Sequence, residues 1–145
     1  MKALLQRVTS ASVKIDGEVV GEISQGILLF LGIERGDDRQ KVDKLLDKTL
    51  KYRLFSDQND RMNLSLADIR GDLLIVSQFT LVADTQKGLR PSFSSAALPG
   101  ESEALYQYFV GKAEQSGLMV ATGRFGADMA VSLVNDGPVT FNLSV

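Results

Sequence analysis

Two short runs place polar groups where an apolar strand or an ordinary turn would be expected. Ser77-Gln78-Phe79-Thr80 interrupts the apolar stretch Leu73 to Ala83. A buried hydroxyl or amide without a partner costs about 1 to 3 kcal/mol, so each of these groups needs a neighbour or a ligand. A strand with one polar face is the plainer reading. Asn135-Asp136-Gly137-Pro138-Val139-Thr140 joins two strand-like segments, and proline supplies the ordinary route to a cis peptide bond. With Gly137-Pro138 in that form, two parallel carbonyl oxygens would make an acceptor pair suited to a small cation such as an α-ammonium group. A hairpin turn is the plainer reading here. Lys87-Gly88-Leu89-Arg90-Pro91-Ser92-Phe93 carries two cations and an aromatic ring, which suits phosphate contact or a solvated loop. Arg7 stands mid-strand: facing inward it needs acceptors such as the carbonyls of a special turn, whereas at a strand edge water serves.

What is missing narrows the chemistry further. The 145 residues include no histidine and no cysteine, which removes the usual general base, thiolate nucleophiles, disulfides and the commonest metal ligands. Thr80 as a nucleophile would need a base. No lysine adjoins it in sequence, leaving spatial neighbours such as Lys87. The carboxylates form no close pair of the glycosidase or metal-site kind, and Asp16 and Asp136 read as turn formers. Neither a metal nor a cofactor is expected. The formal net charge of −2 gives no electrostatic sign of nucleic acid. One local exception is Lys41, Lys44, Lys48 and Lys51, a helical stripe that either tracks phosphates or solubilises a face shared with Asp43 and Asp47.

These residues need a scaffold, and the patterning describes one domain over residues 1–145. Residues 1–9 and 12–15 read as strand, and Asp16-Gly17 as a type I′ hairpin turn leading to Val19, Val20 and Ile23. Gly26 to Ile33 is a nearly all-apolar run, as for a strand covered on both faces. Asp37 and Gln40 resemble a capping pair opening a helix near 38–53, with Val42, Leu45, Leu46, Thr49 and Leu50 on its inner face. A polar loop over 56–72 precedes a strand over 73–83. A second helix spans about 101–116 after Pro99-Gly100, with Leu105, Tyr108, Phe109 and Ala113 inward and Gly117 as its stop. Strands are expected at 118–122, 129–135 and 139–145. The order predicts an α+β fold, a mixed sheet covered by two main helices on one side.

Ser77-Gln78-Phe79-Thr80-Leu81 and Asn135-Asp136-Gly137-Pro138-Val139-Thr140 together resemble the two signature motifs of the D-aminoacyl-tRNA deacylase family. The likeness extends from MKALLQRV through KGLRPSF and Phe125-Gly126-Ala127-Asp128-Met129 to the final strand. It implies hydrolysis of the ester joining a D-amino acid, or glycine, to the terminal adenosine of tRNA, with L-aminoacyl esters rejected. It implies a mixed, mostly antiparallel, barrel-like sheet, and a homodimer with sites at the subunit interface, where a cis Gly137-Pro138 enters the partner's site and its carbonyls hold the α-ammonium. By the same likeness Arg7 braces that dipeptide, Ser77, Gln78 and Phe79 line the adenosine pocket, and Phe125 and Met129 add to its wall. The expected chemistry is attack by water helped by the substrate's 2′-hydroxyl, with backbone N–H groups near Phe79 and Thr80 holding the oxyanion, and Thr80 positioning rather than attacking.

Other functions fit the residues alone: an RNA-binding module that holds an aminoacyl end uncut, a hydrolase of small esters or thioesters, or an interaction protein with a dimer face. The N-terminus lacks the apolar core of a signal peptide, and no apolar run approaches the roughly 20 residues of a membrane span. A cytoplasmic protein is expected.

Overall fold

The computed structural model describes residues 1–145. It opens on β1 (Lys2–Ile15), a single unbroken strand, which turns through Asp16 and Gly17 into β2 (Glu18–Ile23). Both turn residues have positive φ, 50° and 80°, as a type I′ hairpin requires. β3 (Gly26–Gly32) follows. It pairs antiparallel with the first half of β1, while β2 pairs with the second half. β6 (Asp72–Ser77) lies parallel to β3, and β7 (Val120–Thr122) parallel to β6. The last strand, β8 (Ala130–Ser144), runs antiparallel along nearly the whole of β1. The result is a nearly closed, barrel-like mixed sheet.

Alternation explains why the central strands are apolar throughout. Ile27, Leu29 and Leu31 of β3, with Leu73 and Ile75 of β6, face a core shared with the helices. Leu28, Leu74 and Val76 face a second, smaller core inside the curl of the sheet with Val8, Val13 and Ile23. Two buried faces require apolar residues at both parities.

The larger core is closed by α1 (Arg39–Lys51) and α3 (Pro99–Glu114). α1 buries Val42, Leu45, Leu46 and Thr49 as its spacing predicts. Its N-cap is Asp38, which accepts from the Lys41 N–H, rather than Asp37. Asp37 is engaged elsewhere, since its buried carboxylate accepts from the Met1 ammonium, the Glu34 N–H and Lys41 Nζ. α3 begins at Pro99, favourable at a first helical position, and buries Tyr106, Phe109, Val110 and Ala113. Leu105 and Tyr108, expected inward, are only partly buried; the helix is turned so that Tyr106 reaches the sheet and its hydroxyl donates to the Ile75 carbonyl at 3.1 Å.

Three further expectations are corrected. The loop over 56–72 contains a small antiparallel pair, β4 (Phe55–Ser56) with β5 (Met62–Leu64), and the single-turn α2 (Leu66–Ile69), closed by a Ser65–Asp68 capping box. The strand over 73–83 stops at Ser77, and Phe79–Val82 is a 3-10 helix. The two C-terminal strands are one continuous β8.

Candidate active site

Ser77 ends β6, and Gln78 takes an irregular conformation with φ −140° and ψ 84°. The chain then tightens into the Phe79–Val82 turn, with Leu81 N–H donating to the Gln78 carbonyl and Ala83 N–H to that of Thr80. The N–H groups of Phe79 and Thr80 precede the first of these bonds, so they have no acceptor within the helix. A polar sequence inside an apolar run thus marks the place where the strand ends, which periodicity alone reads as more strand.

Beside this turn lies a cavity of about 490 Å³. Ser77, Gln78 and Phe79 form one wall, and Phe125 and Met129 form part of another. All five are candidates from the sequence, and the fold brings them together. Phe125 is backed by Tyr106, with ring centroids 5.8 Å apart. Burial pushes the Tyr106 hydroxyl up to about 12, so it stays a neutral donor. Thr80 is exposed and outside the wall; its hydroxyl accepts from the Gln78 side-chain amide. Neither Lys87 nor any carboxylate is hydrogen-bonded to it.

Four further wall residues, Ala96, Ala97, Pro99 and Ser102, come from the start of α3 and the segment before it. Sequence reading did not find them, because small residues ahead of a helix carry no chemical signal. Asp128 is the one charged residue of the lining; it belongs to the Phe125-Gly126-Ala127-Asp128-Met129 run, but nothing in the sequence gave it a role.

Arg7, Gly137 and Pro138 are not in this wall. Opposite Arg7, β8 fits the four residues Asp136 to Val139 between the pairs Gln6 with Thr140 and Val8 with Asn135. The Asn135 side chain closes that bulge: its Oδ1 accepts from Val139 N–H at 2.7 Å, and its Nδ2 donates to the Val139 carbonyl and to Thr140 Oγ1, both at 3.1 Å. Arg7 turns inward. Nε donates to the Asp136 carbonyl at 2.9 Å and one terminal nitrogen to the Leu54 carbonyl at 2.8 Å, which resolves the choice between an edge arginine and one that grips backbone carbonyls. The Gly137-Pro138 bond is cis, and both residues are exposed. Gly137 has φ +146°, and a Cβ there would lie 2.6 Å from Val139 Cγ2, so only glycine fits.

On the lysine stripe, Lys41 pairs with Asp37 at 3.0 Å and Lys51 with Asp47 at 2.6 Å. Lys44 and Lys48 are exposed and make no ion pair, leaving two free cations out of the four. No group of histidine, cysteine, aspartate or glutamate is arranged to hold a metal.

Comparison with known proteins agrees with this architecture. Along its whole length the chain is 63% identical to a D-aminoacyl-tRNA deacylase of Pseudoalteromonas translucida, 61% to that of Aeromonas hydrophila and 58% to that of Yersinia pestis, covering all of each relative. Among solved structures it resembles the c-Myc DNA unwinding element binding protein, with a TM-score of 0.94 and 36% identity over all of this chain and 99% of the other. It shares the fold of a probable eukaryotic D-amino acid tRNA deacylase, with a TM-score of 0.87 at 16% identity over 99% of this chain and 98% of that one. The family model for D-Tyr-tRNA(Tyr) deacylase matches residues 4–144, and the chain belongs to that family.

Proposed function

We propose that this chain hydrolyses the ester between a D-amino acid and the terminal adenosine of tRNA, accepts the glycyl ester on a non-cognate tRNA, and spares L-aminoacyl-tRNA, so proofreading translation. One observation carries the finer part of this reading. The cavity walled by Ser77, Gln78, Phe79, Phe125 and Met129 excludes Gly137 and Pro138, which stand exposed on the β8 bulge that Arg7 and Asn135 hold. An exposed turn that takes no part in its own chain's cavity is what a homodimer would use, each copy's Gly137-Pro138 entering the other's cavity to exclude an L side chain while its carbonyls take the α-ammonium.

On the turn that borders the cavity, the N–H groups of Phe79 and Thr80 are free to take the developing oxyanion, and water attacks with help from the substrate's 2′-hydroxyl. Thr80, capped by Gln78 and without a base, positions substrate. No cofactor enters this scheme. We place the chain in the cytoplasm, where aminoacyl-tRNA is used; no helix is long and apolar enough to cross a membrane.

The test is release of free amino acid from D-tyrosyl-, L-tyrosyl- and glycyl-tRNA, with sedimentation to give the oligomeric state. Release from the first and third only, by a dimer, is expected. Binding of D-tyrosyl-tRNA without release would overturn the enzyme reading, turnover of simple D-tyrosine esters would widen it, and an active monomer would remove the shared site.

A further inference from the structure

The back of the Gln78–Val82 turn has almost no clearance. Gln78 N–H donates to the Leu31 carbonyl at 2.8 Å, which seats the turn on the end of β3. Directly opposite is Gly32, where a Cβ would lie 2.8 Å from Val82 Cγ1, 3.1 Å from Leu81 Cβ and 3.3 Å from the Gln78 carbonyl oxygen. At the far end of the turn, Ser95 Oγ donates to the Val82 carbonyl at 2.6 Å. Ser95 is strapped to the same strand end, since Arg35 N–H donates to its carbonyl at 3.0 Å and Ala97 N–H donates to that of Ile33 at 3.1 Å. The Phe93 ring also rests on Phe79, centroids 4.9 Å apart.

We propose that Gly32 and Ser95 are positioning residues: they clamp the Gln78–Val82 turn between the end of β3 and the segment 93–97, so that Gln78 and Phe79 stand at a fixed depth in the cavity wall. A turn of so few residues, closed by its own hydrogen bonds, moves as a unit. A push from Gly32 or slack at Ser95 therefore reaches the wall, and misplacement by about 1 Å at a reacting site costs on the order of a hundredfold in rate. The inference rests on the deacylase reading of the cavity.

The test measures kcat and KM for D-tyrosyl-tRNA together with the melting temperature. Ser95→Ala is expected to lower kcat about tenfold, the scale of one lost hydrogen bond, with KM within about twofold and the folded fraction at assay temperature unchanged. Ser95→Thr, which keeps the hydroxyl, restores kcat. Gly32→Ala is expected to lower kcat about a hundredfold; should it fail to fold, the serine pair still decides. Wild-type protein that releases no D-tyrosine overturns the deacylase reading and this inference with it. Active wild type with full kcat in Ser95→Ala, or a loss that Ser95→Thr does not restore, overturns the positioning alone.

Discussion

Arg7 Nε donates to the carbonyl of Asp136 at 2.9 Å across the point where β8 spends four residues opposite one of β1. The side chain is only 11% exposed, its Nε also lies 3.6 Å from the half-exposed Asp136 carboxylate, and its other hydrogen bond goes to a second carbonyl, that of Leu54. Replacing it with alanine leaves two carbonyls without their charged donor. We expect Arg7→Ala to lose about 2 kcal/mol of stability, a fall of roughly 5 °C in melting temperature, and to raise hydrolysis of L-tyrosyl-tRNA relative to D-tyrosyl-tRNA. Lysine lacks the planar fork and should not rescue it. Unchanged discrimination between the two esters would show that the bulge tolerates a loose brace.

Gly137→Ala attacks the same bulge from inside. The new methyl would meet Val139 Cγ2 at 2.6 Å and Val139 N at 2.9 Å, with backbone strain at φ +146° added. Strain of this kind costs about 1 to 3 kcal/mol. Thermal melting should report that loss, and deacylation assays a loss of D-tyrosyl-tRNA turnover beyond the fall in folded protein; normal turnover by a normally stable variant would refute the prediction.

Thr80→Ala should slow release of D-tyrosine by less than about tenfold, the loss of a single neutral hydrogen bond. The hydroxyl's one side-chain partner is the Gln78 amide, which donates and so cannot take its proton. Mass spectrometry of quenched reactions should find no D-tyrosyl ester on Thr80. A trapped acyl-threonine would sink this assignment.

The two unpaired cations on α1 give a salt-dependent test. Reversing Lys44 and Lys48 to glutamate should weaken tRNA binding at low ionic strength and reduce the slope of log Kd against log salt by about 0.9 for each phosphate no longer neutralised. The paired Lys51 serves as control, since Asp47 already neutralises it. Equal slopes for the reversed and parent proteins would mean that this stripe only solubilises.

Tyr106 sets a pH prediction. Its hydroxyl pKa is raised by burial from 10.0 to about 12, so its contribution to stability is fully present below pH 10 and is lost as pH rises towards 12. Wild type should melt above Tyr106→Phe at pH 8, because the Ile75 carbonyl keeps its donor, and that advantage should shrink between pH 10 and 11. A constant gap across that range would show that the phenol does not titrate there.

The doubly covered central strand was legible because two-sided burial leaves a mark. Gly26 to Ile33 is apolar at both parities, and both parities found a core. The Asp16-Gly17 turn was legible for an equally local reason, the demand for two positive φ angles. Leu73 to Ala83 misled because an apolar run does not say where its ladder stops: Gln78 still pairs to Leu31 through its N–H, but from there the chain turns into a 3-10 helix. Asp37 misled because either of two neighbouring aspartates can cap a helix, and the Met1 ammonium, brought close only by the fold, claims one of them. Of the candidate site, the chemically marked side chains were visible, whereas Ala96, Ala97 and Pro99 were not, since what they contribute is shape.

β8 carries Val131 in the cavity wall and, seven residues on, the exposed Pro138. A strand advances about 3.3 Å per residue, so the two are separated by at most about 23 Å, and the bulge subtracts from that span. The strand thus works as a spacer of set length between the cavity wall and the exposed turn. Its side chains can be exchanged without altering that length. Adding or removing one residue would alter it and also turn every later side chain to the opposite face, so β8 between Val131 and Val134, ahead of the bulge, is expected to tolerate substitution far better than insertion or deletion.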